Sequence, residues 1–428
     1  MFARTDRLRK RIFQTIRKDF MTSQIVLMNQ LSIAIASDTL TSRNEESGDT
    51  KTYPSMSKIF ALNGPHQIAV LHCGCTNLGD AHWRMLVTEW SRSLQVPLAK
   101  VTDYAENFME WLATHSERLG LTADSSFKQI FQTQFTIFRD VNRTAIAQAL
   151  GRDGHRKSKD FGKELVALLE SFLVDRCTEE RFADLTDEVA AKALQAAGTN
   201  PVDIFRGVLD IEVDVEFPSE LIDTITKIAV AFIARYVDSS ETVDMTFVGY
   251  GNDEYFGQVC RRFMTGYYAG KMRFKALDLE NTSPGDYPYA IALAQDRAIR
   301  PFLHGVDNAM RGRIANSFSE VAIGELKLDE EKVKHIVDTA MTKLSSWLQS
   351  EYSNPMFSTL DALGPTALSR YADLLIRMES LRSATLRGEA TVGGIVESLS
   401  ISRSAGTEWH YRLGHDVQPI EASSHILA

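Results

Sequence analysis

The order of apolar patterns along the chain predicts an α+β fold in which two antiparallel sheets pack face to face with helix pairs outside. Three observations carry this. Short β-branched and aliphatic runs separated by polar turns fill residues 22–75. Helical spacing takes over from about residue 78. Strand patterns return only between about 246 and 293, before further helices and a last strand ending near Trp409. Strands and helices come in blocks and do not alternate, which disfavours a parallel doubly wound sheet.

In the first block, runs at 25–28 and 31–37 flank a turn near Asn29 and Gln30. A hairpin centred there puts Thr22 opposite Ser37 or Asp38. The next pair, 58–62 and 67–72, is joined by the turn formers Asn63, Gly64, Pro65 and His66. That register sets Lys58 opposite Leu71, at the same hairpin end as the small-residue turn Cys73-Gly74-Cys75. Trp83, Leu86, Trp90 and Leu94 then fall on one helical stripe, which reads as core.

Residues from about 96 to 215 are helical in pattern, with polar interruptions at 151–159 and 198–201. This stretch reads as a large helical insertion between the fold's first and second helices. The second helix is expected at 219–237, where Leu221, Ile225, Ile228 and Phe232 make a broad apolar face after the start signal Pro218-Ser219-Glu220. Strands are expected at 246–250, 255–262, 267–275 and 289–293. The Gly-Tyr-Gly-Asn run at 249–252 is a turn and not a phosphate loop, since no Lys or helix start follows in Walker spacing. Helical patterns return at 306–350, Ser353-Asn354-Pro355 marks a break, and an amphipathic helix covers 366–385.

With 428 residues, 44% apolar and 24% charged, the composition is that of a globular chain and not a disordered one. No apolar run reaches the roughly 18 residues needed to span a bilayer, so no membrane segment is expected. A net charge of -9 argues against a nucleic-acid surface. The exception is the basic leader, residues 1–21, with Arg4, Arg7, Arg9, Lys10, Arg11, Arg17 and Lys18. It lacks the apolar stretch of a secretory signal. A removable propeptide, a true start at Met21, and a targeting or partner-binding segment are the three readings. Cys73, Cys75, Cys177 and Cys260 are too scattered for a disulfide framework. His72-Cys73-Gly74-Cys75 lacks a second Cys pair, so packed thiols are the simpler reading than a metal site. No metal and no cofactor are expected.

Thr22 carries the chemistry. If it heads the mature chain, its α-amine and hydroxyl belong to one residue, which supplies both base and nucleophile. An α-amine titrates near pH 8, whereas a Thr hydroxyl without a base is a poor nucleophile. A Lys58 ammonium beside it would depress both pKa values, and Asp38 would orient that ammonium. Each residue has an ordinary alternative: Thr22 as an early strand residue, Asp38 as a strand-end cap, Lys58 as a solvated edge charge. His410, His304 and the pair Gln295-Asp296 read as structural, and Asp307 as a helix cap, with a supporting acid as its other role.

These residues resemble the proteasome β-subunit branch of the N-terminal nucleophile hydrolases. That family starts its mature chain with Thr, has an Asp sixteen residues on, a Lys heading a later strand, and a Gly turn followed by a helix. Here Thr22, Asp38, Lys58 in Ser57-Lys-Ile-Phe-Ala-Leu, and Gly74 match. A second stretch, the helical run at 368–381 followed by Glu389-Ala-Thr-Val-Gly393-Gly394-Ile395, is similar to the family's acid-and-glycine turn. Glu389 keeps the carboxylate, while Val392 replaces the family's Ser. The resemblance covers about half the chain, mainly 22–95, 220–310 and 366–412. It implies a four-layer αββα sandwich over 22–412 interrupted by the insertion, with a tail at 413–428. It implies catalytic roles for Thr22, Asp38, Lys58, Gly74 and Glu389. The expected function is a cytoplasmic threonine peptidase or amidase acting on a peptide or small amide through an acyl ester. Self-assembly as a homo-oligomer, in rings in its relatives, and an unfoldase partner belong to the same expectation. The alternative is a catalytically silent scaffold whose helical insertion binds a partner protein.

Overall fold

The computed structural model describes residues 22–44, 50–54, 56–79, 81–151, 160–176, 179–212, 215–237, 239, 242–277, 288–387 and 392–413. Met21, Cys177 and Glu389 lie outside the described residues, as do the leader before Thr22 and the tail from 414. β1 (Ser23–Met28) and β2 (Ile33–Asp38) form the first hairpin. Asn29 makes its turn: the side-chain oxygen accepts the N–H groups of Leu31 and Ser32, both at 3.0 Å. β3 (Leu40–Asn44) pairs with β4 (Thr50–Pro54), β5 (Ile59–Ala61) with β6 (Gln67–Gly74), and β7 (Asn77–Leu78) with β8 (Ala81–His82). Later come β9 (Val243–Tyr250), β10 (Gln258–Tyr268), β11 (Lys271–Leu277), β12 (Tyr289–Ala294), β13 (Val396–Ser402) and β14 (Gly406–Tyr411). One sheet runs β12-β1-β2-β13-β14 and the other β11-β10-β9-β6-β5, antiparallel between every pair of neighbours. The chain is α+β with antiparallel sheets, as the blocks of pattern predict.

Strand alternation decides what each face buries. On β6 and β9, Ile68, Val70, Val243, Met245 and Phe247 pack against α1 (Trp83–Ser93) and α2 (Val101–Thr114) through Trp83, Trp90, Tyr104 and Phe108. Their neighbours Ala69, Leu71 and Val248 turn the other way, into a cluster shared with Val26, Met28, Ile33, Ile35 and Leu399 of the first sheet. Trp90 is wholly buried, and its indole N–H donates to Asn107 Oδ1 at 2.9 Å, which ties α1 to α2. Losing a side chain of that size costs roughly 3–5 kcal/mol.

A second core is built mainly from helices, with loop residues such as Phe182, Leu185 and Ile211 and one strand residue completing it. α3 (Ala123–Val141), α4 (Arg143–Leu150), α5 (Phe161–Arg176), α6 (Asp187–Ala197), α7 (Pro201–Val208) and α8 (Ser219–Ile233) bury Phe127, Phe131, Phe135, Phe138, Phe205 and Phe232 together, with Tyr268 of β10. This corrects the placement of the sheet-packed second helix at 219–237. α2 holds that position, and the apolar faces of α8 are covered by other helices. The helical core joins the sheet at Gly266, where β10 bulges between Met264 and Gly266. A Cβ there would sit 2.9 Å from Ser126 Oγ; without it, that hydroxyl accepts the Tyr267 N–H at 2.9 Å. The bulge also explains a strand boundary that differs from expectation. The turn is at Ala269 and Gly270, both at positive φ, and not between 262 and 267.

Beyond β12 come α9 (Ile299–His304), α10 (Asn308–Gly324), α11 (Glu330–Leu348), a π turn (Gln349–Ser353), α12 (Asn354–Ala362) and α13 (Pro365–Arg387). Ile299, Leu303, Leu360, Leu368, Leu375 and Ile376 cover the Ile25, Leu27, Ala34 and Ala36 face of the first sheet. The break expected at Ser353-Asn354-Pro355 is instead a widened turn inside a continuing helix. Proline lacks an N–H and its ring clashes with the carbonyl four residues back, so the helix opens one turn to pass it. Asp307 caps α10, its Oδ1 accepting the Met310 N–H at 2.6 Å. No described helix is long and apolar enough to cross a membrane.

Gly249 sits at φ 153°, where a Cβ would meet Gln67 O at 2.0 Å and Ile68 Cα at 2.9 Å, both backbone atoms of β6. Gly249→Ala is therefore expected to cost about 3 kcal/mol in urea unfolding. Gly312→Ala, in the open middle of α10 with nothing within 4 Å of its Cβ, is expected to gain about 0.5–1 kcal/mol.

Candidate active site

Asp38, at the end of β2, is fully buried and its carboxylate collects three donors from distant parts of the chain. Oδ1 accepts the Ser23 N–H at 3.1 Å and the Lys58 ammonium at 2.8 Å. Oδ2 accepts the Gly393 N–H at 3.1 Å. Lys58, 5% exposed, donates a second hydrogen bond to Leu40 O at 2.7 Å. An ammonium has three N–H bonds, and these two contacts use two of them. The 392–395 turn is held to the same corner: Thr39 Oγ donates to Ile395 O and accepts Ile395 N–H, both at 2.9 Å.

Thr22 is 5% exposed and pinned through its backbone. Its carbonyl accepts the Gln295 N–H at 3.0 Å, and Ser23 Oγ donates to Gln295 O at 2.8 Å. Alternation along β1 puts Thr22 on the side of Gln24, Val26 and Met28, the last two in the core between the sheets. Gln24 reaches across that gap, its Nε2 donating to His72 O at 3.0 Å. That bond draws the start of β1 to the end of β6, where Gly74 stands at φ 116°. Trp83 fixes the chain just beyond, its indole N–H donating to Cys75 O at 2.9 Å. The sequence-predicted residues Thr22, Asp38, Lys58 and Gly74 thus share one end of the paired sheets. The registers lie one step from expectation: Asp38 binds the Ser23 N–H, and Lys58 faces His72, whose N–H donates to Lys58 O at 3.3 Å.

The electrostatics single out no rival nucleophile here. Burial pushes the Asp38 carboxyl upward, while the Lys58 charge and the backbone N–H donors pull against it. Burial, and then the Asp244 carboxylate, push the Cys73 thiol far up, so it stays protonated at neutral pH. His72, stacked on Phe60 at 5.4 Å, is pushed down to about 3 by burial and then by Lys58. It stays neutral and is no proton carrier near pH 7. Among the described residues no three His, Cys, Asp or Glu side chains form a metal-holding group.

Other residues singled out by sequence fall elsewhere. His410 bonds Ser400 Oγ at 2.8 Å, His304 packs near Phe357, and Asp296 clamps Arg300 at 2.7 Å. Gln295 does join the site, by its backbone. Ser23 and Gln24 were not singled out, and Gly393 was named only as part of the glycine turn. Gln24 had a signal, as a polar residue leading into an apolar strand; Ser23 and Gly393 bond Asp38 through backbone N–H groups, a role their residue types do not reveal. No protein-family model matches this chain, and the search of curated proteins finds no match either.

Removing one partner of the buried pair leaves the other charge uncompensated. Lys58→Met and Asp38→Asn are each expected to cost about 3–5 kcal/mol in denaturant unfolding, with the double variant losing less than the sum. For His72, the native pKa lies below the ordinary 6.5. The stability it contributes is therefore present above 6.5 and lost as pH falls toward about 3. The difference in unfolding free energy between the wild type and His72→Gln is expected to shrink by up to about 1.4 kcal/mol per pH unit across that window.

Proposed function

We propose that this chain is an N-terminal threonine hydrolase of the proteasome β-subunit kind, cleaving peptide or small amide bonds through an ester on Thr22. One observation carries the reading: a single buried oxygen, Asp38 Oδ1, accepts both the N–H that follows Thr22 and the Lys58 ammonium. The core shared between the sheets, with helical clusters against their opposite faces, fits the family's four-layer αββα sandwich.

The chemistry requires Thr22 to be the first residue. Its neutral amine takes the hydroxyl proton as Oγ attacks the substrate carbonyl carbon. The nearby Lys58 charge favours the neutral amine. Backbone N–H groups at the Gly74 turn would receive the oxyanion, worth roughly 3 kcal/mol per donor. The amine then passes its proton to the leaving nitrogen, the C–N bond breaks, and an ester remains. Water, deprotonated by the same amine, hydrolyses the ester and restores the hydroxyl. Glu389 would support the turn that carries Gly393. A cytoplasmic homo-oligomer, fed by an unfoldase, belongs to this reading by resemblance alone.

Val392 favours a second reading. An apolar side chain, 1% exposed, stands where catalytic relatives carry a Ser, beside the Gly393 N–H that holds Asp38. A silent scaffold would keep the Asp38 cluster for stability and use its helical insertion for a partner.

Intact mass and N-terminal sequencing separate the two. The hydrolase reading predicts a chain beginning at Thr22, Thr22→Ala with no measurable turnover of a peptide amide, and Thr22→Ser with activity retained. A purified chain that keeps residues before Thr22 and is inert supports the scaffold. Turnover that survives Thr22→Ala overturns the hydrolase mechanism.

A further inference from the structure

A cavity of about 440 Å³ lies on the far side of the first sheet's helical cover, between α9, α11 and the π turn. Its size is within the range of small-molecule sites. Gly305 explains how its walls meet. At φ 78° it ends α9, and a Cβ there would sit 2.7 Å from Leu348 Cδ2, so only glycine lets α9 turn this close to α11. The turn that admits Pro355 forms the opposite wall, bringing Gln349, Ser353 and Asn354 to the cavity. Single π turns of this kind are often found at binding sites.

The chemistry of the lining is one-sided. Arg300 and Arg311 border the cavity with His304, which burial and then the Arg300 charge keep neutral, and among the described residues no Asp or Glu lines it, in a chain whose net charge is -9. Arg300 is held by Asp296, its Nε and Nη2 donating to Oδ2 at 2.9 and 2.7 Å. Arg311 has no carboxylate partner among the described residues; its guanidinium donates to Ser345 Oγ, a neutral group. A guanidinium has five N–H donors in a planar fork that matches the two oxygens of a carboxylate or phosphate. Leu348 and Phe357 supply an apolar side to the same space.

We propose that this cavity binds a small organic anion, with one carboxylate or phosphate group on the Arg311 fork and an apolar body against Leu348 and Phe357. The polar groups of the π turn complete the recognition of the oxygens. The lining includes none of Thr22, Asp38, Lys58 or Gly74, and binding there does not depend on hydrolysis.

Calorimetric titration of the purified full chain tests this with three probes: N-acetylphenylalanine, phenyl phosphate and the neutral N-acetylphenylalaninamide. The site predicts saturable binding of at least one anion, with the amide at least ten-fold weaker. The preference between the two anions assigns the headgroup. Arg311→Gln, at an exposed position of α10, weakens binding at least ten-fold, while Thr22→Ala leaves it unchanged. Raising NaCl from about 50 to 500 mM weakens anion binding to the wild type at least three-fold by screening, a readout that needs no variant. The proposal is overturned if neither anion saturates, if the amide binds as tightly, or if binding ignores both Arg311→Gln and salt.

Discussion

The constraint on which this corner of the molecule depends is the buried carboxylate of Asp38. Taking a carboxylate and an ammonium out of water costs several kcal/mol per ion. Here the cost is offset by three hydrogen bonds to one carboxylate and a second acceptor for Lys58. Those donors come from the start of β1, the entry to β5 and the turn before β13, so one side chain fixes where three separate segments meet. With every one of these bonds made, the group orients its neighbours.

The rest of the fold keeps that meeting point in place. The two sheets are bridged by Gln24 at the end where Thr22 stands, and Gln295 closes the other side of Thr22 through its backbone. Glu379 of α13 accepts the Ala298 and Ile299 N–H groups, which anchors the start of α9 just beyond Gln295. Thr22 is thus bonded directly to Gln295, while its neighbours Ser23 and Gln24 tie the same chain end to Asp38 and to the second sheet.

Much of this was legible in the sequence. Asn29 and the Asn63–His66 turn formers located both hairpins, and the pairing that follows brought Asp38 and Lys58 to strand ends. The one-step error in each register came from locating the turn centres by composition alone. The strand expected to end at 262 continues to Tyr268, because Gly266 lets it bulge past Ser126 without stopping. The helix expected at 219–237 reads as the fold's second helix because a broad apolar face shows that something covers it and not what does. Pro355 looked like a stop, but one widened turn accommodates it. Gln24 and Ser23 act through contacts across the fold, which no local pattern records, and the bond from the Gly393 N–H to Asp38 is of the same long-range kind.

The central claim is that Thr22 forms the covalent bond to substrate. Its direct measurement is peptide mapping after acid quench during turnover of an activated ester. The account predicts an acyl mass on the N-terminal peptide beginning at Thr22, at the hydroxyl, which disappears on further incubation. An acyl group found on Cys75 or Lys58 instead, or a fully active preparation that never carries one, would contradict it.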